Sequence, residues 1–150
     1  MVAWKDVVSE EPAFAAKVRA LFDAHKHKTI ATLRSDGSPR ISGIEAEFTD
    51  DELTFGSMTG SRKGADLARD PRFALHSPSV DPPEADPAGW VGEAKIAGRA
   101  LLVGDLEDPG GQLFRADVDE VVLTSLNEAG DRLRIETWRP GGPVRRIERE

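Results

Sequence analysis

The chain of 150 residues combines 39% hydrophobic with 31% charged residues, which is the balance of a single soluble globular domain over residues 1–150. A net charge of −7 and an isoelectric point near 5.0 speak against general nucleic-acid binding, which depends on many cations. Cysteine is absent, which excludes disulfides and zinc–cysteine sites, and no apolar run approaches the ~20 residues that a membrane span needs.

The N-terminal part of the chain predicts one helix. Residues 1–9 are expected to be a loose lead-in; they carry acids and lack the long apolar core of a secretory signal. Residues 10–25 predict an amphipathic helix, because apolar side chains recur at helical spacing at Phe14, Val18, Leu21 and Phe22. His25 and His27 stand two residues apart, but no carboxylate or thiol ligand set accompanies them, so no metal site is predicted.

Strands and tight turns follow this helix. Strands are predicted over residues 29–34, 40–48 and 53–57, and the Asp36-Gly37 pair is a strong signal for a hairpin between the first two. Side chains of the second strand alternate between two faces. One face carries Ile44, Ala46 and Phe48, and the other carries Gly43, Glu45 and Glu47.

The segment from Phe55 to Leu75 contains the clearest chemical signal. A strand runs into a small polar loop, and Ser61 is expected to cap a helix over residues 62–69 that stops before Pro71. A helix start exposes unpaired backbone N–H groups and the positive end of the helix dipole. Cations and hydroxyls gathered there predict a phosphate-type anion site; the alternative is a capped surface helix with solvated cations. The residues concerned are Ser57, Thr59, Ser61, Arg62 and Lys63.

The second half of the chain predicts further strands with few helices. The proline-rich stretch 77–89 is expected to be a surface loop, 104–111 a second loop and 112–117 a short helical turn. Strands are predicted over residues 73–76, 91–103, 120–126, 132–138 and 144–147. The connections are too short for parallel crossovers, so about six or seven strands favour a mainly β, antiparallel barrel, in which closure removes exposed edges.

Three motifs occur in the order of a known family. Ala31-Thr32-Leu33 precedes the hairpin turn, Ser61-Arg62-Lys63 precedes Asp70-Pro71-Arg72, and Ala94 to Arg99 forms an apolar stretch ending in Gly-Arg. This order resembles the pyridoxamine 5'-phosphate oxidase-like split-barrel flavoproteins over roughly residues 12–104. The resemblance implies a six- to seven-stranded antiparallel split β-barrel of the FMN-binding type with flanking short helices. It also implies a homodimer with cofactor sites at the subunit interface.

The resemblance also implies which residues hold the cofactor. The flavin ring of the family is held largely by backbone groups, and the cofactor performs the redox chemistry. By position, the strand along the flavin corresponds to Ser42, Gly43 and Ile44, and the loop at the ribityl or phosphate end to Ser57 and Met58. The phosphate clamp corresponds to Arg62 and Lys63, and further cofactor contacts correspond to Glu93 and Trp138. Thr59 and Ser61, whose hydroxyls lie near the helix start, complete the expected cofactor-binding set. No catalytic side chain is identified.

Departures from the family pattern narrow the function. The phosphate oxidases proper carry an Arg and a Lys on the second strand, whereas this strand supplies Ser42, Glu45 and Glu47. Two carboxylates repel phosphate, which argues against vitamin B6 phosphate as the substrate. The pattern is closer to small relatives that use FMN or the deazaflavin F420. The acidic balance favours FMN, since the oligoglutamate tail of F420 needs extra cations.

Three functions follow as hypotheses. The first is a cytoplasmic, homodimeric FMN- or F420-dependent oxidoreductase that acts on a small organic substrate, with no nucleic-acid or membrane partner. The second is a non-catalytic flavin or haem carrier on the same fold. The third is a plain interaction module, against which the adjacent cations Arg62 and Lys63 at a helix start speak.

Overall fold

In the computed structural model, which describes residues 1–105 and 110–150, eight antiparallel strands form one sheet. They are β1 His27–Leu33, β2 Pro39–Phe48, β3 Leu53–Met58, β4 Arg72–His76, β5 Glu93–Asp105, β6 Gly111–Leu126, β7 Leu133–Trp138 and β8 Arg145–Arg149. The strand order is β3-β2-β1-β4-β5-β6-β7-β8, and an additional pairing of β3 with β6 closes the strands β1 to β6 into a barrel. The predicted antiparallel split barrel is confirmed.

Three α-helices flank the barrel in the described residues: α1 Trp4–Glu10, α2 Pro12–Asp23 and α3 Arg62–Arg69. The predicted bounds of α3 are confirmed, because the Gly64 N–H donates to the Ser61 hydroxyl at 3.1 Å and Asp70 ends the helix before Pro71. Within those same residues no helix is long and apolar enough to span a membrane.

The prediction of a loose lead-in over residues 1–9 is wrong. Helix α1 begins at Trp4, and Trp4 and Val7 are fully buried. The Val2 N–H donates to Oδ1 of Asp117 at 2.8 Å, which holds the N-terminus against β6. Two fully buried side chains in less than two turns are too few to give a periodic signal, so the helix is visible only through its packing.

The single helix predicted over residues 10–25 is in fact the end of α1 followed by α2. Glu11 separates the two helices, and Pro12 occupies the first turn of α2, where its missing N–H removes no hydrogen bond. The buried face of α2 includes Phe14, Val18 and Phe22, as the spacing predicts.

The short helical turn predicted over residues 112–117 is also wrong. These residues belong to β6, whose buried side chains alternate at Phe114, Ala116 and Val118. They pair with β3 on one side and with β5 on the other, so two hydrogen-bonded neighbours stabilise the extended backbone. The predicted loop 104–111 includes residues 106–109, which lie outside the described residues. The proline-rich stretch 77–89 contains no strand, and a short 3₁₀ turn covers Pro87–Gly89.

The core lies inside the barrel and under the first two helices. Alternate residues of β2 point inward as predicted: Ile44, Ala46 and Phe48 are buried, while Glu45 and Glu47 are exposed. The rings of Trp4 and Phe48 meet edge to face with centroids 4.8 Å apart, which joins α1 to the barrel.

The barrel opens between β2 and β3. These two strands pair only at their turn, from Ala46 opposite Phe55 to Phe48 opposite Leu53. Beyond Ala46, β2 continues along β1, whereas β3 continues along β6. The separation leaves a gap between two strands of the same sheet, and the candidate site lies in it.

Candidate functional site

A groove of about 490 Å³ occupies the gap between β2 and β3, and we call it the strand groove. One wall is formed by β2 residues from Gly43 to Glu47, and the other by β3 residues Thr54 to Met58. His27, Lys63 and Leu113 complete the lining. This volume is within the range of cofactor and small-molecule sites.

The edge of β2 that faces the strand groove carries free backbone groups. Residues 39–45 of β2 pair with β1 on one side, but within the described residues no strand pairs with their other side. Every second residue of this edge therefore presents an N–H and a C=O toward the groove, and such groups require partners. Gly43 has no side chain and open space around its Cα, so a flat ring can approach the backbone closely.

Polar atoms converge where the strand groove reaches the start of α3. The Ser57 hydroxyl is buried and has no hydrogen-bond partner in the described residues. A Cβ placed on Gly64 would lie 2.6 Å from the Ser57 Oγ, 2.8 Å from the Gln112 Oε1 and 3.0 Å from the Ser61 Oγ. A larger residue at this position would displace these side-chain oxygens, and the helix start below them adds a positive dipole end. We call this arrangement the α3 cradle.

The two predicted clamp cations point into different grooves. Lys63 lines the strand groove, whereas Arg62 lines a second groove of about 360 Å³ with Arg34, Arg40 and Arg69. Consecutive residues of a helix do not share a face, so one anion bound beside Lys63 is not enclosed by both cations. We call the second groove the arginine groove. Thr59 lies in the exposed turn before α3, and the structure does not place it in the lining of the strand groove.

A buried carboxylate fixes α3 to the barrel. The side chain of Asp66 is 3% exposed and accepts hydrogen bonds from the Thr32 Oγ1 at 2.7 Å, the Arg40 Nε at 2.7 Å and the Arg69 Nη2 at 3.1 Å. Burial alone would raise the pKa of Asp66, but the hydrogen bonds from Arg40, Thr32 and Arg69 outweigh it and lower the pKa to about 2. The group is therefore ionised at neutral pH and links α3 to β1 and β2.

The strand groove gathers only part of the predicted cofactor set. Gly43, Ile44, Ser57, Met58 and Lys63 line it. Ser42 lies on β2 beside the groove and Ser61 caps α3 in the cradle, but neither is part of the lining.

Glu93 and Trp138 lie elsewhere. Glu93 is on β5, where its Oε2 lies 3.2 Å from the Nε2 of His76. Trp138 is 1% exposed, and its indole N–H donates to Glu10 at 3.1 Å. Since this burial leaves the Trp138 ring no surface for a ligand within the chain, we do not include it in the proposed site.

Sequence reasoning missed several residues of the site. Arg40 and Asp66 are 26 positions apart, and no local pattern links them. The sequence predicts a helical turn at Gln112, and this prediction does not reveal its position opposite Ser57 across the β3–β6 pairing. His27 carries no sequence signal for a cofactor site, although the start of β1 places it in the strand groove. Among the described residues, no group of three His, Cys, Asp or Glu side chains is arranged to hold a metal.

Comparison with known proteins agrees with this architecture. The sequence model of the family described as pyridoxamine 5'-phosphate oxidase matches residues 14–136. No curated protein matches the chain. PhzG from Burkholderia lata 383, solved in complex with tetrahydrophenazine-1-carboxylic acid, is 15% identical with a TM-score of 0.66, over 98% of this chain and 95% of PhzG.

Two further solved structures share the fold. A pyridoxamine 5'-phosphate oxidase-related, FMN binding protein from Nostoc punctiforme is 12% identical with a TM-score of 0.63, over 93% of this chain and 96% of that protein. A heme binding protein from Mycobacterium smegmatis is 16% identical with a TM-score of 0.58, over 87% of this chain and 56% of that protein. At these identities the likeness extends to the fold alone.

Proposed function

Because the chain belongs to the pyridoxamine 5'-phosphate oxidase family, we propose that it binds FMN in the strand groove and acts as an oxidoreductase on a small organic substrate. One observation carries the proposal. One groove joins a strand edge to a helix start. Among the described residues, no strand pairs with that edge, which suits a flavin ring, and the helix start has a lysine and a buried hydroxyl without a hydrogen-bond partner, which suits a phosphate. F420 has the same two features and is the alternative cofactor.

The residues present fit the two ends of FMN. The backbone edge of β2 around Gly43 offers donors and acceptors to the polar rim of the ring. Ser57 and Lys63 offer a hydroxyl and a charged ammonium to the phosphate, next to the free N–H groups of the first turn of α3. Bound flavin supplies the electron transfer, while the chain orients the ring and limits access to it.

Charges beside the strand groove indicate the substrate class. Glu45 and Glu47 both line it, and both are exposed on the outward face of β2. Lys26 lies 3.6 Å from the Glu45 carboxylate in an exposed contact, whereas Glu47 forms no salt bridge with the described residues. A groove with this balance favours neutral or cationic substrates over phosphorylated ones. We therefore expect activity, measured as oxidation or reduction of bound flavin, with uncharged or amine-bearing compounds.

A second copy of the chain would complete the site. The strand groove is open, and exposed apolar side chains lie at it and next to it: Met58 lines the groove and is 66% exposed, and Ile41, two residues before Gly43 on β2, is 75% exposed. Exposed apolar side chains that lie together can mark an interaction surface. We propose a homodimer, and sedimentation analysis tests it: wild-type protein should sediment as a dimer and Ile41→Glu as a monomer. A monomeric wild type would contradict it.

Parallel titrations with FMN and F420, followed by fluorescence and absorbance, test the proposed function. Wild-type protein should bind FMN at about one per subunit. Lys63→Ala should weaken FMN binding by about 1.5–3 kcal/mol, since it removes one charge-assisted contact. Lys17→Ala, which removes an exposed lysine of α2, should bind FMN normally. Unchanged affinity in Lys63→Ala would contradict phosphate binding at the α3 cradle. Tight binding of F420 alone would mean that F420, and not FMN, is the cofactor.

Haem binding is the second candidate, because His27 lines the strand groove and imidazole is a common axial ligand of haem iron. A haemin titration distinguishes the two functions. A shift of the haem absorbance band that disappears in His27→Ala, together with absent flavin binding, would establish the haem-carrier function. Reduction of a bound flavin by a substrate would exclude it in favour of the oxidoreductase.

A further inference from the structure

The side chain of Gln112, which is far from α3 in the sequence, forms part of the α3 cradle. Gln112, the only glutamine of the chain, lies at the start of β6 directly opposite Ser57 of β3. The two residues before it have positive φ angles, 93° at Gly110 and 137° at Gly111, which glycine adopts readily. A Cβ on Gly111 would lie 2.0 Å from the Ser57 carbonyl oxygen, so the two backbones are in close contact here and the position of Gln112 is fixed.

The Gln112 amide and the Ser57 hydroxyl approach the same point above α3. Both lie within 2.8 Å of the place that a Cβ of Gly64 would occupy. Ser57 is 2% exposed, lines the strand groove, and its hydroxyl has no hydrogen-bond partner in the described residues. A buried hydroxyl without a partner is costly unless a ligand satisfies it. The amide of Gln112 makes no hydrogen bond within the same residues, and its Oε1 lies 2.8 Å from the Gly64 Cβ position that the Ser57 Oγ approaches to 2.6 Å.

We propose that Gln112 is a binding residue for the phosphate group of the flavin, together with Ser57, and that this pair makes the site selective for the phosphorylated form. The inference rests on the proposed function. A half-turn of the amide exchanges its oxygen and nitrogen, so Gln112 can present two N–H donors. These donors are uncharged, unlike Lys63, and recognise an acceptor-rich group by hydrogen bonding. Riboflavin, which ends in a hydroxyl instead of a phosphate, gains little from them.

Titrations with FMN and with riboflavin test this role. Gln112→Leu should weaken FMN binding about tenfold, because one hydrogen bond to a charged group is lost. Gln112→Glu should weaken it further, on the order of a hundredfold, since a carboxylate then faces the phosphate. Riboflavin binding should stay the same in both variants. Ser57→Ala should repeat the pattern of Gln112→Leu, and Ser79→Glu, which adds a charge to the exposed proline-rich loop, should match the wild type.

Each outcome separates this inference from the proposed function. Wild-type protein that binds neither flavin would overturn both. Wild-type protein that binds FMN, with the Gln112 variants equal to it, would overturn this inference and leave the proposed function intact. An equal loss of FMN and riboflavin binding would also overturn it, because the effect would then come from the ring or from the fold. Circular dichroism of each variant identifies misfolded protein. If the Gln112 variants are misfolded, Ser57→Ala, which leaves β6 unchanged, tests the pair: wild-type FMN affinity in folded Ser57→Ala would overturn the inference.

Discussion

Two parts of the chain pack onto the barrel by opposite means. The helices α1 and α2 pack through apolar side chains, among which Trp4, Val7 and Phe22 are fully buried. The helix α3 buries one large apolar side chain, Leu67, and is also held by polar contacts: the buried carboxylate of Asp66 binds to β1 and β2, and Arg69 donates to the Leu33 carbonyl oxygen at 2.7 Å. The first attachment consists of area removed from water, and the second of directed hydrogen bonds between charged groups.

The two kinds of attachment suit the different roles of α1 and α2 on one side and α3 on the other. Apolar burial is non-directional and stabilises the fold without fixing the orientation of a helix to a fraction of an ångström. Hydrogen bonds to a buried carboxylate have preferred distances and angles, so they hold the first turn of α3 in one place relative to β2. The proposed flavin site spans these two elements, since Gly43 lies on β2 and Lys63 on α3. We therefore expect α1 and α2 to serve stability and the Asp66 contacts to serve geometry.

The largest expected effect separates stability from binding. Trp4→Ala empties a fully buried site, and should lower the free energy of unfolding by about 3–5 kcal/mol. The FMN affinity of the remaining folded protein should not change, because α1 does not line the strand groove. Urea denaturation and flavin titration measure the two quantities. Trp90→Ala, at a half-buried tryptophan just after the proline-rich loop, is the matched control and should cost less free energy of unfolding. A large loss of FMN affinity in folded Trp4→Ala would contradict the division.

Asp66→Asn should lower both the free energy of unfolding and the affinity for FMN. The amide keeps the size of the carboxylate but loses the charge that holds Arg40 and Arg69, so we expect a loss of about 1.5–3 kcal/mol in the free energy of unfolding. FMN binding should weaken as well, because the start of α3 is released from β2. The same two measurements check this. If Asp66→Asn bound FMN as the wild type does, the Asp66 contacts would serve stability alone and the comparison would fail.

The pH dependence of stability tests whether the negative charge of Asp66 holds α3. The pKa of Asp66 falls from 3.8 to about 2 on folding, so its contribution is complete above about pH 4 and is lost as the pH falls toward 2. The shift corresponds to a contribution of about 2 kcal/mol. The difference between the wild type and Asp66→Asn in urea denaturation should stay constant from pH 5 to 7 and shrink below pH 4. A constant difference down to pH 2.5 would show that the charge is not what holds α3.

Local signals in the sequence predicted part of this fold, and long-range contacts decided the rest. The bounds of α3 could be predicted because Ser61 and Pro71 act on their immediate neighbours. Helix α1 could not, since its stability comes from burial of Trp4 against Phe48, far along the chain. The sequence predicts a short helical turn over residues 112–117, whereas the extended form of these residues depends on pairing with two other strands.

The residues of the candidate site also fall into those that the sequence could predict and those that depend on long-range contacts. The resemblance identified Gly43, Ile44, Ser57, Met58 and Lys63, which the structure brings into one groove. Gln112 reaches the α3 cradle only through the pairing that closes the barrel. The sequence predicts Arg62 and Lys63 as one phosphate clamp, although consecutive residues of a helix do not share a face, and the structure places Arg62 in the arginine groove.

The smallest expected effect comes from Asp70, four residues after Asp66. The side-chain and backbone hydrogen bonds of Arg72 lower the pKa of Asp70 to about 2, the same value as for Asp66. The Asp70 pair is on the surface, however, with the Arg72 side chain 63% exposed, so water and salt screen it. We expect no measurable change in unfolding free energy or FMN affinity in Asp70→Asn, measured beside Asp66→Asn under identical conditions. Equal destabilisation by the two substitutions would mean that the hydrogen bonds stabilise the fold whether or not they are buried. Burial between α3 and the barrel would then not distinguish Asp66 from Asp70.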